Sequence, residues 1–180
     1  ENKRENYGKK KWFGNKAVKF NIKTYSFKDL NSKRVLKLLE KNKIKFIMVF
    51  GTKKINTSIF KDYKNKMFNF HGGNPEKYRG LDSHYWALYH KDLSSIETCM
   101  HVLNDRLDTG KILFRKKIPI KSKTKIYHLR KLNTEICVKF AKKFIKLIKI
   151  KKKYKLLKQK KIGRYYSFMP ASIKKTLEVK

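Results

Sequence analysis

Acidic residues are scarce in this chain. Only 13 Asp and Glu stand against 49 Lys and Arg, which leaves a formal charge of +36 over 180 residues. A basic surface gathers phosphates and other polyanions, so the imbalance points to an anionic partner or substrate. Lys far outnumbers Arg, and Asn and Ile are frequent, in the manner of a coding bias. Such a bias leaves the shortage of acids unexplained. Cysteine is nearly absent too. Cys99 and Cys137 have no paired spacing, which excludes a disulfide framework or zinc cluster and fits a reducing cytoplasm. His84, His90 and His128 lack partners at ligand spacing, so no metal site is expected. Long apolar runs are missing as well. The longest, Ile44 to Phe50, is interrupted by Lys45, and no membrane span is expected. The opening Glu1-Asn2-Lys3-Arg4 lacks the apolar stretch of a signal peptide.

What the chain does have is material for a core. With 40% hydrophobic and 13% aromatic residues, its length suits one folded domain rather than a disordered polycation. Residues 1–14 are polar and basic and read as a surface arm. Ala17 to Ile22 alternates toward a short strand. Asn31 is placed to cap a helix from Ser32 to about Lys41, with Val35, Leu36, Leu38 and Leu39 as its apolar stripe. Ile44 to Phe50, ended by Gly51, reads as a strand buried on both faces of a parallel sheet. A short helix over Thr57 to Tyr63 and a strand over Met67 to Phe70 follow. The alternation argues for an α/β sheet.

Beyond a Gly- and Pro-containing loop, Asp82 or Ser83 is placed to cap a helix to about His90. Ile96 to Leu103 and Lys111 to Ile120 read as an antiparallel pair. Thr124 to about Lys149 is a long amphipathic helix, with Thr124 as cap and a stripe through Ile126, Leu129, Leu132, Ile136, Phe140, Phe144 and Leu147. Residues 151–161 form a charge run, and the aromatics of 163–170 are expected to tuck back onto the domain. The expected layout is a domain over residues 1–150 and a basic C-terminal tail over 151–180.

Two segments carry the chemistry. In Asn69-Phe70-His71-Gly72-Gly73, side chains two apart share one face of a strand, so Asn69 and His71 point together while Phe68 and Phe70 face the other way. Both polar residues stand at the carboxyl end of their strand, where open α/β sheets bind ligands. The two glycines allow a sharp turn and a close ligand approach. In Leu107-Asp108-Thr109-Gly110, Asp108 follows a strand and can reach back over the sheet edge, where a carboxylate would favour and orient an imidazolium. An amide donor, an imidazole and a carboxylate are the parts needed to stabilise a tetrahedral intermediate and move its protons, so acyl-type group transfer leads. Taken singly, each motif is also ordinary loop chemistry.

Phe68 to Gly73, then Tyr78-Arg79-Gly80, Trp86-Ala87, His101 and Leu107 to Gly110, together resemble the formyltransferase family that uses 10-formyltetrahydrofolate. That family includes glycinamide ribonucleotide, methionyl-tRNA and sugar N-formyltransferases. The resemblance spans about Ile44 to Ile120. It implies a Rossmann-like α/β fold with a central, mostly parallel sheet flanked by helices. The family's first strand and phosphate-binding turn are not recognisable and the chain does not open on Met, so an N-terminal truncation is expected.

The resemblance also implies roles. Asn69, His71 and Asp108 would be catalytic: Asn69 and protonated His71 stabilising the oxyanion, Asp108 supporting the charged imidazole and helping to move protons through a water. The folate would lie against Gly51, Lys53, Lys54, Ile55, Leu103 and Asp105, with either lysine meeting its glutamate tail. The implied partner is a small-molecule amine that is phosphorylated or nucleotide-linked, foremost a nucleotide-linked sugar.

The chain departs from many relatives in having Asn74-Pro75 after the histidine loop and Glu97-Thr98-Cys99 before His101. Methionyl-tRNA is the alternative acceptor, which the charge favours. A non-catalytic basic RNA-binding protein on a degenerate scaffold is the rival from another class. The oligomeric state stays open.

Overall fold

The structure, a computed structural model, describes Lys10, residues 21–121 and residues 123–177. The predicted arm and the strand over Ala17 to Ile22 lie largely outside the described residues. Helix α1 spans Lys33–Lys41. Its cap is Ser32 rather than Asn31: Ser32 has extended backbone and its hydroxyl accepts from the Val35 N–H. Asn31 is engaged elsewhere, donating to the Lys54 carbonyl at 3.0 Å and accepting from the Asn56 N–H at 2.6 Å. Val35, Leu36 and Leu39 pack on a cluster of Val49, Ile55, Phe60, Tyr63 and Met67.

Strand β1 covers Ile47–Val49 only, and among the described strands it lies at the sheet edge. Met48 is 39% and Phe50 55% exposed, so the expectation of burial on both faces is corrected by this edge position. The predicted short helix over Thr57–Tyr63 is present in the tight 3-10 form, kinked at Phe60. Strand β2, Met67–His71, then pairs parallel to β1.

A short strand β3 (Tyr78–Gly80) and helix α2 (Ser83–Tyr89) come next. The excursion from Gly72 to Ile96 begins and ends beside the carboxyl end of β2. Strand β4, Glu97–Val102, therefore returns antiparallel, with Asn69 opposite His101 and His71 opposite Cys99. Strand β5, Ile112–Lys117, completes the sheet order β1-β2-β4-β5. The mixed α/β class stands. Within the four-stranded sheet, however, one pairing is parallel and two are antiparallel, since the segment through α2 returns the chain to the carboxyl end of β2.

Helix α3, Ile126–Lys149, covers one face of the sheet. Thr124 does not cap it: Lys125 holds that position, and the Thr124 hydroxyl instead accepts from the Lys121 N–H, closing the preceding turn. The buried residues Ile126, Leu129, Ile136, Phe140 and Phe144 recur at helical spacing, matching the predicted stripe. Phe144 packs against Phe68 with ring centroids 4.6 Å apart, and against Phe46 and Tyr154 edge-on. No helix among the described residues is long and apolar enough to cross a membrane.

After α3 the chain docks. Leu157 bridges Ile112, strand β6 (Arg164–Tyr166) pairs parallel with β3, and helix α4 spans Ala171–Thr176. Met169 and Leu177 join the main core. The expected tucking of aromatics occurs: the Trp86 indole donates to the Ser167 carbonyl, and its ring lies 5.0 Å from that of Tyr166.

Phe144→Ala would open a cavity where four rings meet. It should lower unfolding free energy by about 3–5 kcal/mol in urea titration, whereas Val138→Ala on the exposed face of α3 should cost well under 1 kcal/mol.

Candidate active site

Strand parity places Asn69 and His71 on one face of β2, opposite the buried Phe68. Cross-strand pairing adds His101 to that face. The bulge beside His101, where the register with β5 slips, lies at this end of the sheet. Asp108 comes from the turn between β4 and β5, and its carboxylate lies among all three. Its Oδ1 accepts from Asn69 Nδ2 at 3.3 Å and stands 3.3 Å from His101 Nε2. Its Oδ2 accepts from the Gly80 N–H at 2.8 Å and stands 3.5 Å from His71 Nδ1. His71, His101 and Asp108 are all buried, and Asn69 is half-buried.

The carbonyls fix the tautomers. His71 Nε2 lies 2.9 Å from the Tyr78 carbonyl and His101 Nδ1 lies 2.9 Å from the Val102 carbonyl, so each of these nitrogens carries a proton and donates. The other nitrogen of each ring faces Asp108. Burial holds His71 below its ordinary pKa, although the Asp108 carboxylate and the Tyr78 carbonyl work against it. Burial works to raise Asp108, but the two imidazoles and the Gly80 N–H outweigh it and hold the carboxyl far below its usual range. The site sets an anionic carboxylate against His71 Nδ1, where burial opposes the imidazolium and the carboxylate favours it.

Two glycines make this geometry possible. Gly110 lies so close to the Val102 carbonyl that a Cβ there would stand 1.7 Å from the oxygen. Gly80 has φ +89°, and its N–H is the one that meets Asp108. At Gly72 a Cβ would meet His84 and Asn133, and at Gly73 it would meet Ser83 and His71, so close packing within the fold requires that both lack side chains.

The predicted folate residues divide. Lys54, Ile55 and Asp105 line one open cleft of about 400 Å³ with Asn31 and Asn56, a size in the range of small-molecule sites. Gly51, Lys53 and Leu103 are not in that lining; Leu103 packs against the cluster around Ile55. The Thr57 hydroxyl donates to Asp105, tying the two loops together. Asn31 and Asn56 were not singled out from sequence. Nor was His101 given a role, since the register that sets it opposite Asn69 is a property of the paired strands.

The remaining candidates behave as structural groups. His84 is buried and donates Nε2–H to the Glu97 carbonyl at 2.7 Å, His90 stacks on Tyr78, and Cys99 is fully buried in the sheet. No group of three or more His, Cys, Asp or Glu among the described residues is placed to hold a metal ion.

A chain with this carboxylate–imidazole–amide set at the end of an α/β sheet has the build of a group-transfer protein. The family model described as formyl transferase matches residues 1–137, and the chain belongs to that family. Solved structures share the fold. The formyltransferase PseJ from Anoxybacillus kamchatkensis, in complex with UDP-4,6-dideoxy-4-formamido-L-AltNAc and tetrahydrofolate, superposes with a TM-score of 0.63 at 21% identity, over 71% of this chain and 66% of that one. WlaRD, a sugar 3N-formyl transferase solved in the presence of dTDP and 5-N-formyl-THF, gives 0.56 at 24% over 74% and 53%. An N-formyltransferase from Helicobacter canadensis, with folinic acid and dTDP-3-aminofucose, gives 0.55 at 24% over 64% and 42%. The chain thus spans between 42% and 66% of the length of these structures.

Acid should destabilise the protein through its buried neutral imidazoles. His84 is pushed down to about 4 by burial. Between an unfolded value near 6.5 and that folded value, the unfolded chain binds the proton the folded one refuses. Stability therefore falls as pH drops through this window, by up to about 1.4 kcal/mol per pH unit from this one group. Urea midpoints measured from pH 7 to pH 4 should show that slope, and His84→Gln should flatten it.

Proposed function

We propose that this chain transfers a formyl group from 10-formyltetrahydrofolate to the primary amine of a small, nucleotide-linked sugar in the cytoplasm. The observation that carries the reading is the meeting of Asn69, His71 and Asp108, from separate elements, in one buried cluster. The cleft lined by Lys54, Ile55, Asn56 and Asp105 suits a flat, amide-rich ring, and its lysine suits a carboxylate tail. When bound there, the folate would supply an electrophilic formyl carbon.

The chain's own groups divide the remaining work. Asn69 Nδ2 is the neutral donor for the developing oxyanion. His71, its pKa lowered by burial, takes at Nδ1 the proton that the attacking amine must lose and would return it to the folate nitrogen that departs as its bond to the formyl carbon breaks. The resemblance implied an imidazolium from the start; the lowered pKa favours one formed during reaction. Asp108 is too acidic to be an effective base, so it acts by its charge, stabilising that imidazolium. Besides folates, the similar solved structures hold nucleotide-linked sugars or a nucleotide, which supports the acceptor class. The charge of +36 also suits the phosphates of such a substrate.

Calorimetric titration with 5-formyltetrahydrofolate should give saturable binding, and formyl transfer to a nucleotide-linked amino sugar should follow with 10-formyltetrahydrofolate. Asp108→Asn and His71→Ala should each lower kcat by about a hundredfold or more. Unchanged transfer in either variant would overturn these roles. Steeply salt-dependent RNA binding without folate binding would instead favour the polyanion reading.

A further inference from the structure

Asp108 adopts φ +56°, a left-handed conformation uncommon for residues with side chains though more accessible to Asp than to most. The groups that hold its turn come from other segments. Gln159 Nε2 donates to the Asp108 carbonyl at 2.8 Å and to the Gly110 carbonyl at 2.9 Å. Arg79 Nη1 donates to the Leu107 carbonyl at 2.9 Å while its Nε donates to the Gly163 carbonyl at 2.6 Å. Three carbonyls of the turn are thus held by two side chains.

Gln159 is itself anchored. Leu157 bridges Ile112, the Lys160 N–H donates to Glu76 at 2.6 Å, and the Gly163 N–H donates to the Pro75 carbonyl at 3.2 Å. Gln159 itself lies beyond residue 137, outside the stretch that matches the family model, while the turn it holds lies within it.

We propose that Gln159 is a positioning residue: its side-chain amide clamps the Asp108–Gly110 turn and so sets where the Asp108 carboxylate stands against His71. Its Oε1 is buried without a partner among the described residues. An unpaired buried carbonyl is unfavourable, so the residue is poorly explained by stability alone and well explained by its two donated bonds. Residues 157–166 then complete the site from two sides. Gln159 holds the Asp108 backbone, while β6 pairs with β3, whose Gly80 N–H holds the Asp108 carboxylate. The inference rests on the reading of Asp108 as part of the reacting site.

The test uses the full chain and two readouts: the nitrogen-15 shifts of the His71 ring against pH, and formyl-transfer kinetics. His71 faces Asp108 from the turn, His101 from β4 and the Tyr78 carbonyl from β3, and it acts on the charge of His84 in α2. Only the influence of the Asp108 carboxylate should change. In Gln159→Met the carboxylate drifts, its support for the imidazolium weakens, and His71 should titrate at lower pH by about half a unit or more. In the same variant kcat should fall about tenfold with the folate KM nearly unchanged. Gln159→Asn keeps the amide but is one methylene too short to span both carbonyls; it should shift both readouts in the same direction by less, and it decides the matter if the first variant does not fold. Lys158→Met is the control and should change neither. A folded Gln159 variant with wild-type His71 titration and wild-type kcat would overturn the proposal. If the wild-type protein transfers no formyl group, the transfer reading fails while the His71 titration still decides the clamp.

Discussion

The Asp108 carboxylate is the constraint on which the rest of the site depends. A buried anion is tolerated only when hydrogen bonds and opposite charge replace the water it loses. Here one N–H of Gly80, the amide of Asn69 and the rings of His71 and His101 surround it. Those partners come from β2, β3 and β4, so the positions of three strands are coupled to one side chain. The turn bearing it can lie against β4 only because Gly110 presents no side chain to the Val102 carbonyl.

The scarcity of acids takes on meaning in the same light. Asp82 accepts from the Met169 N–H and pairs with Lys174, tying the start of α2 to the last helix. Asp92 pairs with Lys77 at 2.8 Å, and Ser94 and Ser95 also donate to it, which holds its carboxyl far below the usual range. Glu76 and Glu97 share Arg115. These acids stand where separate segments cross, and most of the lysine excess is left at the surface. A chain of +36 therefore keeps a chemically balanced interior.

Much of this was legible in the residues. Period-2 parity put Asn69 and His71 together, and period-3.6 spacing found the buried stripe of α3. The misses have one physical kind. Asn31 against Ser32 and Thr124 against Lys125 are cap choices settled by backbone angle and by competing partners such as the Lys54 carbonyl. The two-sided burial expected of β1 failed because composition reports how apolar a strand is and says nothing of whether it lies at an edge.

The sequence by itself determined the periodicities, the apolar faces and the chemical vocabulary of the site, because these are local properties of residue type and spacing. Only the tertiary structure decided that His101 stands opposite Asn69, that Lys54 and Asp105 share a cleft, and that Gln159 reaches back across 51 residues to the Asp108 carbonyl. Those are meetings between distant segments, fixed by strand register and turn closure, and no local pattern encodes them.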